Sequence, residues 1–561
     1  MLQTKSPSAD NHPVLVAPPG KLTVLPLGGL GSIGMNNMLL GCDGQWVLLD
    51  AGVKFPDKQE IGTDLVVPDV KILSRLEGTF HGVVLTHGHE DHIGAVPFVL
   101  KEQWVPIWGP PFALGLIQNR LREHDIHNAQ LRPTAPGNSL KLGVFDFQFL
   151  RVTHSIPDCL SLAIRTPAGN MLFTGDFKID GGLPCGTEFD AAGYKAFGDE
   201  GVLLLMADST NIQRAGRTLS EATVAQGLLD AISASPGRVF IGMFSSNVYR
   251  LHSIFRAAEK TGRKVCLLGR SLKRYLEVAR KHYPKLNLSG PIIRENDVSR
   301  YNPSELVFVC TGTQGESRAA LARISSGNHR ISVQQGDTLL MSARAIPGNL
   351  REIAAMVDGF SRGGAHVQSR NDPWPIHTSG HAAYEELADV LRWIRPKIFV
   401  PVHGTRTFME DHADLAEDCG VSEVLVIESG ELLRATQSEV RSDGLVEIEQ
   451  TYYDGSRWGS RSSLGIKERN EMAHNGAIAV CVQMLPNRVL AHVQAEGIWT
   501  DGGQLEQDVA GQLSDYLTGL RQLSDDTIRQ ETRLFVRRVW RQKAGKKPLV
   551  FTTLIRSGEA T

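Results

Sequence analysis

The stretch Thr86–Gly94 has the sequence T-H-G-H-E-D-H-I-G, which places His87, His89, Asp91 and His92 close together. Imidazole and carboxylate are ligands that zinc and manganese take in proteins. The alternating histidines can converge on one ion, while the adjacent Asp91 and His92 point toward a second ion about 3.5–4 Å away. A polar loop that is rich in histidine by chance is the competing interpretation. The motif predicts a site for two divalent ions.

Short apolar segments precede this motif and two further candidate ligands. Val83–Leu85 is predicted to be a buried strand that ends at the motif, and Ile93–Lys101 to be a helix that follows it. His154, in V-T-H-S-I-P-D, and Asp176, in L-F-T-G-D-F, each follow another predicted strand. Together they would supply a third histidine for the first ion and a carboxylate able to bridge both.

The segment before the motif carries a glycine pattern that matches the dinucleotide-binding fingerprint G-x-G-x-x-G, at Gly29, Gly31 and Gly34. That fingerprint must open a helix to bind a dinucleotide, whereas residues 36–50 predict a β-hairpin. We therefore expect these glycines to let the backbone pass close to the metal pocket. Asp50 ends the hairpin, where it either forms a turn or orients a metal-bound histidine.

Composition limits the possible classes of protein. The 561 residues are 42% hydrophobic and 21% charged, as in soluble globular proteins. A single core rarely grows beyond about 300 residues, so we expect two to four structural units. The formal net charge is −2, and nucleic-acid binding must therefore come from local basic patches rather than from the overall field.

Cysteine usage and the N-terminal segment bear on location. The 7 cysteines are scattered and form no C-x-x-C pair, which favours free thiols in a reducing cytosol over disulfides or a thiolate zinc site. Residues 1–20 are polar and lack an apolar core, so we expect a disordered N-terminal arm rather than a signal peptide. No apolar run approaches the ~20 residues of a membrane span. These features predict a cytoplasmic protein without a membrane partner.

Residues 216–360 alternate predicted helices with short buried strands, a pattern typical of a doubly wound, mostly parallel sheet. Ligands of such sheets bind beyond the carboxyl ends of the strands. Small, polar or basic residues follow each of four strands: Ser245, Ser246 and Asn247; Gly269, Arg270 and Ser271; Thr311–Gly315; and Ser342–Arg344. Loop chemistry explains any one of these segments, but four in register predict a surface for anions or phosphate.

The last third of the chain contains two further patterns. Histidines again follow loops and strands in H-T-S-G-H, which comprises His377, Thr378, Ser379, Gly380 and His381, and at His403. The chain therefore returns to the first domain, and 216–360 is an insertion within it. Beyond about residue 445 we expect a small α+β module suited to self-association. Its basic run either touches RNA or forms a solvated helix face: Arg537, Arg538, Arg541, Lys543, Lys546 and Lys547.

The candidate ligands resemble those of the metallo-β-lactamase fold: Asp50, the motif at 87–92, His154 and Asp176. D-S-T-N at 208–211, S-G-H at 379–381 and P-V-H-G at 401–404 are similar to motifs of the β-CASP nucleases within that fold. Further segments extend the resemblance over nearly the whole chain to the bacterial ribonuclease J family, among them P-L-G-G-L-G-S-I-G-M-N, T-H-S-I-P-D, T-G-D-F-K-I-D, C-T-G-T-Q-G-E and I-P-G-N.

The resemblance implies an α/β fold in which a metallo-β-lactamase αββα sandwich carries an inserted, doubly wound β-CASP domain and a small α+β C-terminal domain. The expected boundaries are 1–20 for the arm, 21–215 and 361–445 for the metallo-β-lactamase domain and its linker, 216–360 for the β-CASP domain and 446–561 for the C-terminal domain.

The resemblance also implies roles for individual residues. One ion would be held by His87, His89 and His154. The other would be held by Asp91, His92 and His403, with Asp176 and a hydroxide bridging the two. His381 would contact the scissile phosphate, and Asp208 and Asp50 would orient other site residues. RNA phosphates, including a 5′-monophosphate, would contact Ser245–Asn247 and His377–His381.

The activity implied is hydrolysis of RNA with two divalent ions, zinc or alternatively manganese. Family members combine 5′-to-3′ exonuclease activity, with preference for a 5′-monophosphate, and endonuclease activity in RNA maturation and decay. The expected partners are RNA, a second copy of the chain in a homodimer or homotetramer, and other RNA-decay proteins.

Two other functions stay open. A small-molecule hydrolase of the lactamase or glyoxalase kind would have no use for the 216–360 insertion or for His381. A non-catalytic RNA-binding paralogue is compatible with three departures from the family pattern: Tyr249 in place of His, Leu350 in place of Glu and Thr405 in place of Glu. These departures bear on substrate handling, 5′-end preference and rate, and they leave the expected metal ligands intact.

Overall fold

The structure is a computed structural model that describes residues 13–368 and 372–556. The chain divides into two compact units. The first consists of Met1–Lys54 and Pro68–Ile448, and the second of Phe55–Val67 and Glu449–Thr561. In the described residues no helix is both long and apolar enough to cross a membrane.

Two large sheets form the frame of the first unit. The eight-stranded sheet has the spatial order Val440–Leu445, Glu431–Ala435, Leu22–Gly28, Asn37–Cys42, Gln45–Leu49, Thr79–Val84, Ile107–Gly109 and Leu131–Pro133. The seven-stranded sheet has the order Glu423–Val424, Ile398–Val402, Leu204–Asp208, Gly169–Phe173, Leu160–Thr166, Phe145–Arg151 and Ser139–Leu142.

One buried core cluster of this unit is formed by residues of both sheets. Leu40 and Val47 of the first sheet belong to the same buried cluster as Phe147 and Val400 of the second. Phe145–Arg151 shows why such a strand buries one face, because its phenylalanines alternate with Asp146 and Gln148 and adjacent side chains of a strand point to opposite sides. The two sheets therefore form the predicted sandwich.

A third sheet lies in the inserted segment and is parallel throughout. Its order is Ile292–Ile293, Lys264–Leu268, Leu306–Cys310, Val239–Gly242, Thr338–Met341 and His366–Val367. The central strands are apolar and fully buried, as expected when helices cover both faces of a parallel sheet. The predicted doubly wound domain is confirmed.

Helices connect and cover these sheets. Around the sandwich they are Glu90–Ile93, Val96–Glu102, Pro111–Glu123, Ala191–Asp199, Tyr384–Ile394 and Arg406–Asp418. In the insertion they are Glu221–Ala234, Val248–Lys260, Arg270–His282, Ala320–Ser325 and Leu350–Arg362. Short 3-10 helices occupy Val70–Arg75, Pro184–Gly186, Pro284–Leu286, Glu295–Arg300, Pro303–Glu305 and Pro347–Asn349.

The expected disordered arm at 1–20 needs a correction at its C-terminal part. Residues 1–12 lie outside the described residues. Leu15 and Ala17, however, are buried, with 5% and 2% of their surface exposed. Leu15 N donates to Arg75 O, and Glu77 N donates to Leu15 O, both at 2.9 Å. Two apolar side chains and an isolated β-bridge thus order a segment whose composition suggested disorder.

The second unit contains the C-terminal module and a segment that we placed in the metallo-β-lactamase domain. Its main sheet has the order Val489–Glu496, Ala477–Met484 and Leu549–Arg556, and its helices are Ile466–Asn475, Gln504–Thr518 and Asp525–Ala544. A second sheet joins Arg457–Gly459, Thr451–Asp454 and Leu65–Val67. The last pairing is antiparallel and makes Phe55–Val67 part of this unit.

Some residues of the basic run contact other residues of the same unit. Arg537 Nε donates to Pro548 O at 3.0 Å, and Lys546 Nζ donates to His474 O at 2.9 Å. The Arg538 guanidinium lies 5.4 Å from the centre of the Phe535 ring. Three of the six basic residues are therefore held by contacts within the unit.

Candidate metal centre

The candidate ligands lie where strands end, at one edge of the sandwich. The 87–92 motif follows Thr79–Val84, His154 follows Phe145–Arg151, and Asp176 follows Gly169–Phe173. Asp208 is the last residue of Leu204–Asp208, and His403 follows Ile398–Val402. Residues from both halves of the domain, separated in sequence by the insertion, therefore meet in one place.

The helix after the motif differs from the prediction. Instead of one helix over Ile93–Lys101, the structure has two, Glu90–Ile93 and Val96–Glu102. The break arises because Ala95 N donates to Ala51 O, at 2.7 Å, rather than to a carbonyl of its own helix. This tertiary hydrogen bond fixes the metal motif to the end of the hairpin.

The first ligand group comprises His87, His89, His154 and Asp176, each with one ligand atom within 4.8 Å of the others. His89 Nδ1 lies 3.0 Å from His87 Nε2 and 3.2 Å from His154 Nε2. A neutral imidazole carries a single N–H, so three converging ring nitrogens cannot all be satisfied by one another. A cation is the partner that such a set fits.

The second group comprises Asp91, His92, Asp176 and His403. His92 Nε2 lies 3.3 Å from Asp176 Oδ2, and His403 Nε2 lies 3.4 Å from Asp91 Oδ2. Asp176 Oδ1 also lies 2.8 Å from His403 Nδ1. Asp176 belongs to both groups, so one carboxylate stands between the two candidate ion positions.

Two observations test whether divalent ions fit these residues. His403 Nε2 is buried, and although Asp91 Oδ2 lies 3.4 Å away, the two atoms do not have the geometry of a hydrogen bond within the described structure. Such an atom is unusual in a protein interior unless another partner occupies the site. The donors are imidazoles and carboxylates without a thiolate, which suits zinc or manganese. The residues therefore fit two divalent ions.

Asp50 holds the histidine side of the site in place. Its Oδ1 accepts from Thr86 N, and its Oδ2 accepts from Thr86 Oγ1, both at 2.8 Å. The same Oδ2 lies 2.8 Å from His92 Nδ1. Of the two interpretations that the sequence left open, the geometry favours orientation of a histidine, since the carboxylate fixes which nitrogen of His92 faces the site.

Asn36 and Thr86 take part in this arrangement and were not singled out from the sequence. Asn36 Nδ2 lies 2.9 Å from His92 Nε2 and 3.3 Å from Asp91 Oδ2. Thr86 Oγ1 lies 3.0 Å from His87 Nδ1. The adjacency of Thr86 to the motif was a usable signal, whereas Asn36 is brought in by the hairpin register, which no local pattern reveals.

His381 and Asp208 form a pair beside the ligand groups. His381 Nδ1 lies 2.6 Å from Asp208 Oδ2, while Asp208 Oδ1 accepts from Thr210 N at 2.9 Å. Both residues, with Asp176 and His403, make a third possible ligand group. Gly380 O lies 2.6 Å from His154 Nδ1, so the segment that carries His381 also orients a candidate ligand.

Burial and mutual charge set the protonation of these groups. Burial opposes ionisation of Asp176, yet the imidazoles of His403 and His92 outweigh it and hold the pKa of this carboxyl well below its usual range. Burial lowers the pKa of His89 to about 4 and that of His87 well below its usual value. Asp176, His87 and His89 are therefore a carboxylate and two neutral imidazoles, the forms that bind metal.

The predicted phosphate-contacting residues fall into two places. Asn247 Oδ1 accepts from Arg250 N at 2.9 Å, and an Arg250 side-chain nitrogen donates to Ile376 O, next to His377, at 3.1 Å. Arg270 and Ser271 instead line a cavity of about 1040 Å³ at the ends of Lys264–Leu268 and Leu306–Cys310, whose lining does not include 245–247 or 377–381.

The three departures from the family pattern lie outside the candidate ligand groups of the described residues. Tyr249 is buried, with 1% of its surface exposed, and lies beside Thr187 and Tyr283. Leu350 begins the helix Leu350–Arg362 and is 59% exposed. Thr405 pairs with Gly31 in a two-stranded sheet formed by Leu30–Gly31 and Gly404–Thr405.

Family models and known proteins match most of the chain. Family models match at 35–255 (metallo-beta-lactamase superfamily), 236–360 (Ribonuclease J, beta-CASP domain), 375–426 (Zn-dependent metallo-hydrolase RNA specificity domain) and 464–557 (Ribonuclease J C-terminal domain). Ribonuclease J of Helicobacter pylori strain J99 is 33% identical over 545 residues, which are 94% of this chain and 78% of that protein. The chain belongs to the ribonuclease J family.

Other relatives place the chain in the same family. Ribonuclease J 1 of Streptococcus pyogenes is 36% identical over 82% of this chain and 82% of its own length. Ribonuclease J of Mycobacterium tuberculosis is 36% identical over 88% of this chain and 90% of its own length. A crystal structure of a protein of unknown function from Enterococcus faecalis V583 has a TM-score of 0.54 at 18% identity, covers 74% of this chain and all of that one, and supports the fold alone.

These findings confirm the family resemblance and the fold that it implied. The chain is a hydrolase of a metal-dependent family, and divalent ions are its implied cofactors. The glycine pattern is not a dinucleotide site, because Leu30–Gly31 is a strand rather than a helix and Gly29 O accepts from His403 N at 2.9 Å.

Gly52→Ala is expected to disturb the second ligand group. A Cβ on Gly52 would lie 1.6 Å from Asp91 O, a backbone atom that cannot move without the motif. We expect purified Gly52→Ala to lose at least one of two bound ions, as measured by elemental analysis, and to melt at a lower temperature. Gly181→Ala is the control, since its Cβ would meet no atom within 4 Å. Full metal content in Gly52→Ala would contradict the described loop geometry.

Proposed function

We propose that this protein is a metal-dependent ribonuclease that hydrolyses RNA phosphodiester bonds, with 5′-to-3′ exonuclease activity on 5′-monophosphorylated RNA and endonuclease activity, in RNA maturation and decay. The observation that carries the proposal is the pair of ligand groups that share Asp176, with His381 and Asp208 alongside. A two-ion centre with a proton-transfer pair suits in-line hydrolysis of a phosphodiester.

In this proposal His87, His89 and His154 hold one ion, and Asp91, His92 and His403 hold the other, with Asp176 between them. When bound, two such ions supply a nucleophilic water at neutral pH and stabilise the charge that develops on the phosphate. Asp50 keeps His92 in the orientation that the second position requires, because its bond to Nδ1 leaves Nε2 for the ion.

His381 acts on the substrate through its Nε2. Its Nδ1 is bonded to Asp208, which fixes the ring and leaves Nε2 for the phosphate or the leaving oxygen. Burial lowers the pKa of His381, but the adjacent Asp208 carboxylate outweighs burial and raises it above the usual value. The protonated ring can therefore donate a proton to the leaving 3′-oxygen, and hydrolysis proceeds without a covalent intermediate.

Phosphates upstream of the scissile bond contact the loops at Ser245–Asn247 and His377–Ser379. His377 Nδ1 is buried without a hydrogen-bond partner within the described structure, and burial lowers the pKa of this imidazole to about 3. Arg270 and Ser271, in the cavity farther along the strand ends, contact RNA beyond this point.

Three finer features belong to the same proposal. Zinc is the resident ion, with manganese as the alternative, because imidazoles outnumber carboxylates among the ligands. The chain assembles as a homodimer or homotetramer and meets other RNA-decay proteins. It works in the cytoplasm, which is supported by free thiols at six cysteines of the described structure.

Digestion of RNA labelled in its 5′-terminal nucleotide tests the proposal. Metal-loaded protein is expected to release labelled mononucleotide from a 5′-monophosphorylated RNA at least about tenfold faster than from a 5′-triphosphorylated RNA, since a chain end that does not fit loses remote binding energy. Chelator treatment should abolish release, and added zinc or manganese should restore it.

The same assay separates the alternatives. Protein that binds RNA and two ions yet cleaves neither substrate would favour a non-catalytic paralogue. Hydrolysis of a thioester by protein that leaves RNA intact would favour a small-molecule hydrolase. Cleavage that survives chelation would indicate a contaminating nuclease.

A further inference from the structure

Four charged side chains outside the ligand groups form a buried network. Lys178, Asp180, Glu221 and Arg250 expose between 0% and 2% of their side-chain surfaces. Lys178 Nζ lies 2.9 Å from Asp180 Oδ2 and 3.8 Å from Glu221 Oε1, and a terminal nitrogen of Arg250 lies 2.9 Å from the same Glu221 oxygen. Charged residues are rarely buried so completely, which calls for an account of this network.

The Arg250 guanidinium joins three separate segments. Its Nε and one terminal nitrogen donate to the Glu221 carboxylate at 3.0 and 2.9 Å. The other terminal nitrogen donates to Ser342 Oγ at 2.6 Å and to Ile376 O at 3.1 Å. Asn247 caps the helix that carries Arg250. The guanidinium therefore touches the loops at Ser342 and Ile376, while Asn247 Oδ1 accepts from the backbone N of Arg250 at 2.9 Å.

The opposite end of the network reaches the metal ligands. Lys178 is two residues after Asp176, and its backbone N donates to Thr153 O at 2.7 Å. Thr153 Oγ1 donates back to Lys178 O at 2.5 Å. Thr153 immediately precedes His154. Hydrogen bonds and ion pairs thus connect two candidate ligands of the sandwich with the loops of the inserted domain, with the 3.8 Å contact from Lys178 Nζ to Glu221 Oε1 as the longest step.

Stability alone does not explain such a network. Desolvation of a buried ion pair costs about as much as its attraction returns, so apolar residues of similar volume often serve stability equally well. What a bidentate guanidinium adds is fixed geometry, because its planar donors hold several acceptors at defined distances.

We infer that Arg250 is a positioning residue whose side chain sets the loops at Ser342 and Ile376 relative to the metal centre, and that it thereby controls selection of the RNA 5′ end. The inference rests on the proposed function and deepens it. Arg250 acts through these loops and need not touch the substrate itself.

Arg238 provides a matched control in the same domain. It precedes the strand Val239–Gly242, at the end opposite to the phosphate-contacting loop. It is buried and forms a bidentate pair with Asp337, at 2.8 and 2.6 Å, and a bond to Ser332 O at 2.8 Å. Arg238→Lys therefore removes the same kind of ion-pair geometry as Arg250→Lys, but away from the site.

The experiment compares wild type, Arg250→Lys and Arg238→Lys as full-length, metal-loaded chains. Melting temperature and metal content are measured, together with kcat and KM on 5′-monophosphorylated and 5′-hydroxylated RNA of one sequence. Both variants are expected to melt earlier and to keep two ions. Only Arg250→Lys should lower kcat/KM for the monophosphorylated RNA, by about tenfold to a hundredfold and mainly through KM, since small displacements of positioning groups have effects of that size.

The outcomes distinguish this inference from the proposed function. Equal loss of end selection in both variants, or unchanged selection in Arg250→Lys, would overturn it, as would a wild type that cleaves both RNAs equally. A wild type without any RNA cleavage refutes the proposed function instead. If Arg250→Lys does not fold, Ser342→Ala removes the hydroxyl that accepts from Arg250 and donates to Ile376 O, both at 2.6 Å, and leaves the pair of Arg250 and Glu221 intact. It should weaken end selection in the same direction, and unchanged selection would again overturn the inference.

Discussion

Asp176→Asn is expected to remove both ions and to lower RNA cleavage by at least about 10³-fold. Asp176 is the one residue that belongs to both ligand groups, and its two oxygens face His92 and His403 at 3.3 and 2.8 Å. An amide of the same shape lacks the negative charge that offsets two cations. Loss of several kcal/mol of charge stabilisation corresponds to a decrease of this size, at about 1.36 kcal/mol per factor of ten.

Metal content, measured together with activity, distinguishes the loss of two ions from the loss of one. His89→Ala and Asp91→Asn each affect a single ligand group and should each lose one ion, whereas Asp176→Asn should lose two. Asp146→Asn is the matched control, because that carboxylate is exposed on a strand of the same sheet. Retention of two ions by Asp176→Asn would contradict a shared carboxylate, even if activity were lost.

The candidate ligands could be found from the sequence because each follows a strand. Strand ends of one layered domain meet at one edge, so His154, Asp176 and His403 could be joined to the motif without any knowledge of the distances between them. The glycines before Asn36 could be separated from a dinucleotide site for a similar reason, since the pattern after them has the period of a strand.

Features that depend on tertiary contacts could not be found in this way. The helix after the motif is interrupted by a hydrogen bond from Ala95 to Ala51, whereas its apolar pattern continues. Phe55–Val67 joins the second unit through a strand pairing with residues nearly 390 positions away, Leu65 with Tyr453. In the sequence, Arg250 and Glu221 look like charged residues on the exposed faces of two helices, because charge alone does not show whether a side chain is buried.

The second prediction with a large expected effect on activity concerns the pair of His381 and Asp208. His381→Ala is expected to lower kcat by about 10²–10⁴-fold, the range found for a positioned proton donor, while two ions and the affinity for RNA are retained. His381→Gln should be impaired to a similar degree, because its amide can still bond to Asp208 but cannot transfer a proton. The measurements are single-turnover cleavage, metal content and RNA binding.

Asp208→Asn supplies the second half of this test. Asp208 acts on the substrate through His381, to whose Nδ1 it is bonded at 2.6 Å. The variant that carries both Asp208→Asn and His381→Ala should therefore cleave RNA no more slowly than His381→Ala alone. His381 and Asp208 also belong, with Asp176 and His403, to the third possible ligand group. Loss of an ion from His381→Ala would therefore assign His381 to metal binding and remove it from proton transfer, whereas full metal content with a slow chemical step leaves proton transfer as its role.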